Sequence, residues 1–309
     1  MKNLTLLQRA IGIGSIIAAL SACNGAATPF VGSHGQTLTT AAAVRTPAHR
    51  RAHGPLVYVS DNLGNFIDVF GKDGTLLRKI TTGLDYPAGL FVDAKHNLWV
   101  ANDGGGNVLK FKRGAMKAAA TYGASIGAWG VTKCRNEALY VADLSDTIDI
   151  FARGHHMPTG SLQENSGGAD SVECDSKGNV FVTATVFSPP GYVIEFPSGK
   201  NKPRVLPLYL ANPVDAKPDP AGNLLIVNSA GGPYNTVTEY TESGSPTGKS
   251  MPTGANWTQI AITANGNAVF GADANDLEGV LMAFPSGKML QTYADRDFRQ
   301  LGGIAYDPG

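Results

Sequence analysis

From residue 55 onward the chain is punctuated by short apolar runs, rich in β-branched and aromatic residues and bounded by Asp, Asn and Gly. The clearest series is VYVSD at 57–61, LWVAN at 98–102, LYVAD at 139–143, VFVTA at 180–184, LLIVN at 224–228 and AVFGA at 268–272. Their starts lie 41, 41, 41, 44 and 44 residues apart. Continuous apolar runs of this length between turn residues predict buried strands. Each is followed by a second run that closes on an aromatic: Phe70, Phe111, Phe151, Phe196, Tyr240 and Phe284. A third series precedes them, GLFVD from Gly89, GVTKC from Gly130, SVECD from Ser171, DAKPD from Asp215, QIAIT from Gln259 and GIAYD from Gly303. Three series in constant order make six copies of one strand-built unit.

A repeat of this length made of short strands is the signature of a propeller blade, so the predicted fold is all-β, a six-bladed β-propeller over residues 55–309. The wording of the units, as in PAGLFVDAKHNLWVANDGGGNVLKF, resembles the NHL-repeat and related six-bladed propellers, and in fold the gluconolactonase-type propellers. The chain enters at a second strand, LVYVS, and stops after a first strand, LGGIAYDPG. The C-terminal strand is therefore expected to join the N-terminal blade and close the ring, leaving no unpaired sheet edge.

The N-terminal residues follow a different pattern. Lys2 and Arg9 precede an apolar run at 10–20, the layout of a secretory signal and too short for a spanning helix of roughly 20 residues. The run ends in LSAC, residues 20–23, which resembles the lipobox of bacterial lipoproteins. That resemblance implies a signal peptide over 1–22 and a lipidated Cys23, with acyl chains such as palmitate as membrane anchor. Asn24 in place of Asp favours the outer membrane where the host has one. Residues 23–54 then read as a flexible tether of roughly 30 Å reach.

All 25 acidic residues follow residue 54, whereas Lys2, Arg9, Arg45, Arg50 and Arg51 precede it, so the predicted domain carries a net charge of −5. That charge argues against a nucleic-acid partner.

In the family resembled, the first strand of each blade lines the central channel, and its start shares a rim with the end of the second strand. The candidate binding rim is therefore Trp129, Asp170, Asp215, Trp257 and Gln259 from first-strand starts, with Asn102, Asp143 and Asn228 from second-strand ends. The two tryptophans serve either as stacking platforms for a sugar or apolar side chain or as packing between blades. Gluconolactonase-type enzymes hold a divalent cation with channel-facing Glu, Asn and Asp; here only Asp170 and Asp215 offer a partial set of the oxygen ligands hard cations require. A metal-dependent lactonase or other hydrolase is thus the alternative to a binding or scaffolding module, and a divalent cation is the sole cofactor in question. His34, His49 and His53 fall in the tether and His96, His155 and His156 in turns away from the channel, which argues against histidine-based chemistry. Cys134 and Cys174, on first strands of consecutive blades, are either a disulfide pair, which an exported domain permits, or small buried thiols. Basic turns at 71–74, 112–117, 153–156 and 198–204 on the opposite rim read as charged hairpins rather than a docking surface. Asp93 with Asn97, and residues 102–107, read as two separate hairpin turns.

The expectation is a membrane-anchored, extracytoplasmic, monomeric propeller in the bacterial cell envelope. Its partners would be the membrane, through the lipid anchor, and an envelope protein, peptide or glycan ligand.

Overall fold

A computed structural model describes residues 54–123, 127–185 and 190–309. The proposed signal segment, Cys23 and the tether lie outside the described residues, except Gly54. Six four-stranded antiparallel sheets are present. Blade 1 orders its strands Leu301–Asp307, Leu56–Asp61, Phe66–Gly71 and Leu76–Ile80 from the inside outward. Blade 2 comprises Pro87–Val92, Leu98–Asn102, Asn107–Phe111 and Ala120–Gly123; blade 3 comprises Gly130–Lys133, Leu139–Ala142, Thr147–Phe151 and Gly160–Gln163. Blade 4 follows with Ala169–Cys174, Val180–Ala184, Tyr192–Phe196 and Arg204–Val205. Blade 5 has Pro213–Pro218, Leu224–Asn228, Thr236–Tyr240 and Pro246–Pro252, and blade 6 has Trp257–Ile262, Ala268–Asp273, Glu278–Ala283 and Lys288–Ala294. The six first strands contact one another in a ring, and the C-terminal strand completes blade 1. All blades and their closure lie within residues 56–307, so the propeller is a complete folding unit.

The repeats fold alike because their turns carry the same chemistry. Where a first strand passes to the second, the Oδ1 of Asp93 accepts from the amides of Lys95 and Asn97, both at 2.9 Å. Asp175 does the same for Lys177 and Asn179, and Asp219 for Ala221 and Asn223. An Asp mimicking a turn carbonyl in this way is what an Asx turn requires. Blade 3 has Cys134 at the equivalent position, and it is joined by a disulfide to Cys174 of blade 4, with Cα atoms 5.5 Å apart. Antiparallel pairing places each first-strand start beside a second-strand end, as in Pro87 with Asn102 and Pro213 with Asn228. This end of the channel is called the mouth rim; the Asx turns lie on the far rim.

Apolar clusters fill the wedges between blades. The aromatics that close the third strands, Phe70, Phe111, Phe151 and Phe196, are all nearly inaccessible. Burying each contributes roughly 1.5–3 kcal/mol.

Candidate functional site at the channel mouth

One residue of register decides which side chains reach the mouth. Pro87, Ala128, Ala169, Pro213, Trp257 and Leu301 occupy equivalent positions in the six first strands, and all are buried. The next residue in each strand is Ala88, Trp129, Asp170, Val214, Thr258 and Gly302; all but Ala88 line the cavity at the mouth. Adjacent strand residues point to opposite sides, so Trp129 and Trp257 have opposite fates.

Trp257 is 1 % exposed, packs with Ile260, Leu225 and Val227, and lies against Gly271, where even a Cβ would come within 2.4 Å of the indole. It is an interblade packing residue, the second of the two roles open to it from sequence. Trp129 is half-buried at the mouth, with the Tyr86 ring 6.3 Å away and tilted by 33°. Sequence reasoning missed Tyr86. The available signal was an aromatic directly before the Pro87 that opens a first strand.

Tyr86 adopts φ +52°, a left-handed backbone that is an outlier for a bulky side chain. Its amide donates to Asn65 Oδ1 at 2.7 Å, and its hydroxyl donates to Gln300 Oε1 at 3.3 Å. These bonds offset a conformational cost of roughly 1–3 kcal/mol and hold the ring beside Trp129.

The channel below the mouth is plugged. Gln259 is buried and reaches across three blades: Oε1 accepts from Leu90 and Ile304 at 3.0 and 3.1 Å, while Nε2 donates to Leu90 O at 3.1 Å. Gly303 makes room for it, because a Cβ there would lie 2.3 Å from that Oε1. Gln259 therefore lines the cavity as a strut of the ring, with its amide committed to Leu90 and Ile304. One layer deeper, Lys217 of blade 5 pairs with Glu173 of blade 4, whose other oxygen accepts from Thr132 of blade 3 at 3.1 Å. Burial pushes Glu173 up to about 7, against the pull of Lys217. Burial also works against the Lys217 ammonium, yet Glu173 and Asp215 hold it above its ordinary value. The cavity left over is about 20 Å³, room for a water molecule or two, so a ligand of sugar or peptide size meets the mouth and not the bore.

Asp170 and Asp215, the partial set of oxygen ligands offered by the sequence, differ in their surroundings. Asp215 is fully buried outside the cavity lining, and its two oxygens accept from the amides of Ala216 and Ile260, each at 2.9 Å. Asp170 lines the cavity and accepts from the Thr185 hydroxyl of its own blade. Among the described residues no group of three or more His, Cys, Asp or Glu is placed to hold a metal ion. The second-strand ends are likewise occupied with structure. Asn102 accepts from the Asp85 amide at 2.8 Å and donates to Asn107, Asp143 accepts from the Ser145 amide at 3.0 Å, and Asn228 accepts from the Asn212 amide at 2.9 Å. The strands end inward of the surface, and the turn amides there need acceptors. All three thus support turns of the rim, and Asp143 keeps a second buried oxygen, Oδ2, without a partner among the described residues.

Burial pushes Asp170 up to about 7, against the hydrogen bonding at Thr185. Between the ordinary Asp value of about 4 and that value, the folded protein keeps a proton that the unfolded chain has released. Stability therefore falls as pH rises from about 4 to about 7, by at most about 1.4 kcal/mol per pH unit for this group. The Asp170→Asn variant is expected to lose less stability than the parent across that window in denaturant titrations; identical slopes would contradict the assignment.

The architecture is shared with many solved structures. A chain of a nidogen/laminin complex superposes with a TM-score of 0.68 at 12% identity, covering 82% of this chain and 98% of that one. A protein of unknown function from Bacteroides caccae matches with 0.62, 12% identity and coverage of 82% and 98%. Kuenenia stuttgartiensis hydrazine synthase matches with 0.61, 13% identity and coverage of 80% and 89%. The likeness is one of fold. Neighbours this different in sequence carry unrelated functions on one scaffold. No protein-family model and no curated protein sequence matches the chain.

Proposed function

We propose that the protein is a lipid-anchored, extracytoplasmic binding module of the bacterial envelope, acting as a monomer and taking a peptide or glycan at the channel mouth. The observation that carries this reading is the Trp129–Tyr86 pair, held beside Asp170 at a mouth open to solvent above a closed bore. Aromatic faces supply contact area with little entropy to lose, and a few polar groups then fix orientation. Asp170 with Thr185, and Gln300 through Tyr86, are the polar groups in reach of such a ligand. The nidogen/laminin neighbour is a propeller crystallised in a protein complex, which supports a protein-binding use of the fold. Anchoring rests on the LSAC pattern and Cys23. No helix among the described residues is long and apolar enough to cross a membrane.

The protein carries its own probe. Of three tryptophans, Trp99 and Trp257 are buried at 2 % and 1 % exposure, so quenching by a ligand or by iodide reports on Trp129. Titration with envelope glycan fragments and peptides is expected to give saturable quenching for at least one class. Trp129→Ala and Tyr86→Ala, followed by calorimetry, should then weaken binding by roughly thirtyfold, the scale of an interface hot spot. Saturable binding that survives both substitutions would remove the mouth as the site. Cys23→Ser should release the protein from the membrane fraction; retention there would refute lipid anchoring.

A further inference from the structure

The two rims differ in charge. On the mouth rim the loops carry Asp85, Asp103, Asp146, Asp276 and others, and Arg296 and Arg299 are the only cations in those loops. The far rim is mixed, with Asp73, Asp93, Glu137, Asp175, Asp219 and Glu242 in its turns, but three neighbouring turns on it are purely basic. Its turns between third and fourth strands in blades 2, 3 and 4, residues 112–119, 152–159 and 197–203, contain no acidic residue. They expose Lys112, Lys117, Arg153, Lys200 and Lys202. None of these five has an ion-pair partner among the described residues.

The three turns form one continuous arc, because each leans on the preceding blade. His156 stacks on Tyr122 of blade 2 at 4.4 Å, and its Nδ1 lies 2.8 Å from Thr121 O. Asn201 accepts from the Gln163 amide of blade 3 at 2.9 Å. Met157, 63 % exposed, stands in the middle of the arc.

The chain also enters the propeller at this rim. Leu56 opens its strand opposite Asp307, and Arg113, from the first of the three turns, donates to Gly54 O at 2.6 Å. Before Gly54 the sequence contains Arg45, Arg50 and Arg51 and no acidic residue. The occupant that suits both an entry point and an unpaired cationic arc is a surface of fixed anions lying on the tether side.

We propose that this arc docks the propeller on the anionic headgroups of a bilayer, with Met157 entering the interface and the aromatic mouth turned away from the membrane. This goes beyond the binding reading by giving the module an orientation. It shares with that reading only the expectation of a membrane nearby. Each Lys or Arg close to an anionic surface strengthens attachment by about fivefold, and the effect is screened within roughly 10 Å at 0.1 M salt.

The test uses a chain starting at Asn24, which contains the complete propeller and no acyl anchor, so it is independent of lipidation and of the mouth ligand. Co-sedimentation with vesicles of phosphatidylcholine containing one-third phosphatidylglycerol is expected, falling steeply with salt, and none with phosphatidylcholine alone. Lys200→Gln with Lys202→Gln should weaken binding on the order of twentyfold, whereas Arg296→Gln with Arg299→Gln, an equal change of net charge on the mouth rim, should leave it unchanged. Equal binding to neutral vesicles, an equal effect of the two pairs, or an unaltered affinity in the first pair would overturn the proposal. Binding to heparin or RNA through Lys200 and Lys202 without binding to vesicles would also overturn it, by assigning the arc to a soluble polyanion.

Discussion

A chain ending at Gln300 is expected to yield no cooperatively folded protein. The strand it lacks, Leu301–Asp307, is the inner strand of blade 1 and pairs antiparallel with Leu56–Asp61. Leu301 and Ile304 are 1 % and 0 % exposed, and losing their burial alone costs roughly 1.5–3 kcal/mol each. Ile304 also donates its amide to Gln259, whose other bonds go to Leu90 across the channel. At the far rim Asp307 gathers His96 at 2.7 Å, Arg113 at 2.5 Å and the Gly309 amide at 3.0 Å, tying blade 1 to blade 2. Removing the strand leaves an open sheet edge as well. Set against a total stability of roughly 5–15 kcal/mol, the loss of these burials together with a whole strand's pairing is of the size of the margin. The truncated chain should be aggregated or rapidly proteolysed, with no sigmoidal unfolding transition by circular dichroism. A transition within a few degrees of the full-length protein would show that the ring does not depend on this strand.

The second large effect is expected at Lys217. Its ammonium pairs with Glu173 and is held by the nearby charge of Asp215, and both carboxylates are nearly inaccessible. In Lys217→Met the chain length is kept and the charge is lost, so buried Glu173 is left without its cation under the repulsion of the Asp215 charge. Breaking a buried pair on one side costs about 3–5 kcal/mol. Burial already pushes Glu173 up to about 7 with Lys217 present, and without it the carboxyl must rise further. The folded variant then holds a proton that the unfolded chain has lost, so its stability should decline as pH rises from about 4 through 7 and beyond. Glu173→Gln in the same chain removes the stranded charge, while Asp215 keeps its two amide donors. The double variant should recover most of the lost stability in urea titrations at pH 7. If it remains as unstable as Lys217→Met alone, the deficit is one of packing and the ion pair is not its cause.

The mouth shows how far pattern carries. Residues Gly89, Gly130 and Gln259 already align in the repeat, and in that alignment Trp129 sits one residue before its marker and Trp257 two before. The count was available, but its meaning was not. The register shift between Trp257 and Ile260 and the open face of Gly271 determine where an indole fits, and neither follows from propensity. Asp170 and Asp215 likewise looked equivalent, as acidic residues one position apart in adjacent repeats. They differ because the amide of Ile260 in the next blade donates to Asp215, whereas Asp170 accepts from Thr185 of its own blade.

The spacing of apolar runs, their closing aromatics and the Asp-to-Asn turns were sufficient to specify six blades, their boundaries and a ring closed by the last strand. That information is local and periodic, since each blade needs the same buried strands and the same amide acceptors at its turns. The tertiary structure alone decided which polar groups are left for a ligand. Asn102, Asn228, Asp215 and Gln259 accept from amides of neighbouring loops and blades, Asp143 accepts from the Ser145 amide of its own turn, and the bore is closed by a glutamine and an ion pair. Trp129, Tyr86 and Asp170, with Thr258 beside them, stand at the opening. Whether a buried polar group is free depends on which donors lie within about 3 Å, and the deciding ones at the channel, Ile260 for Asp215 and Leu90 and Ile304 for Gln259, come from parts of the chain that sequence order does not bring together.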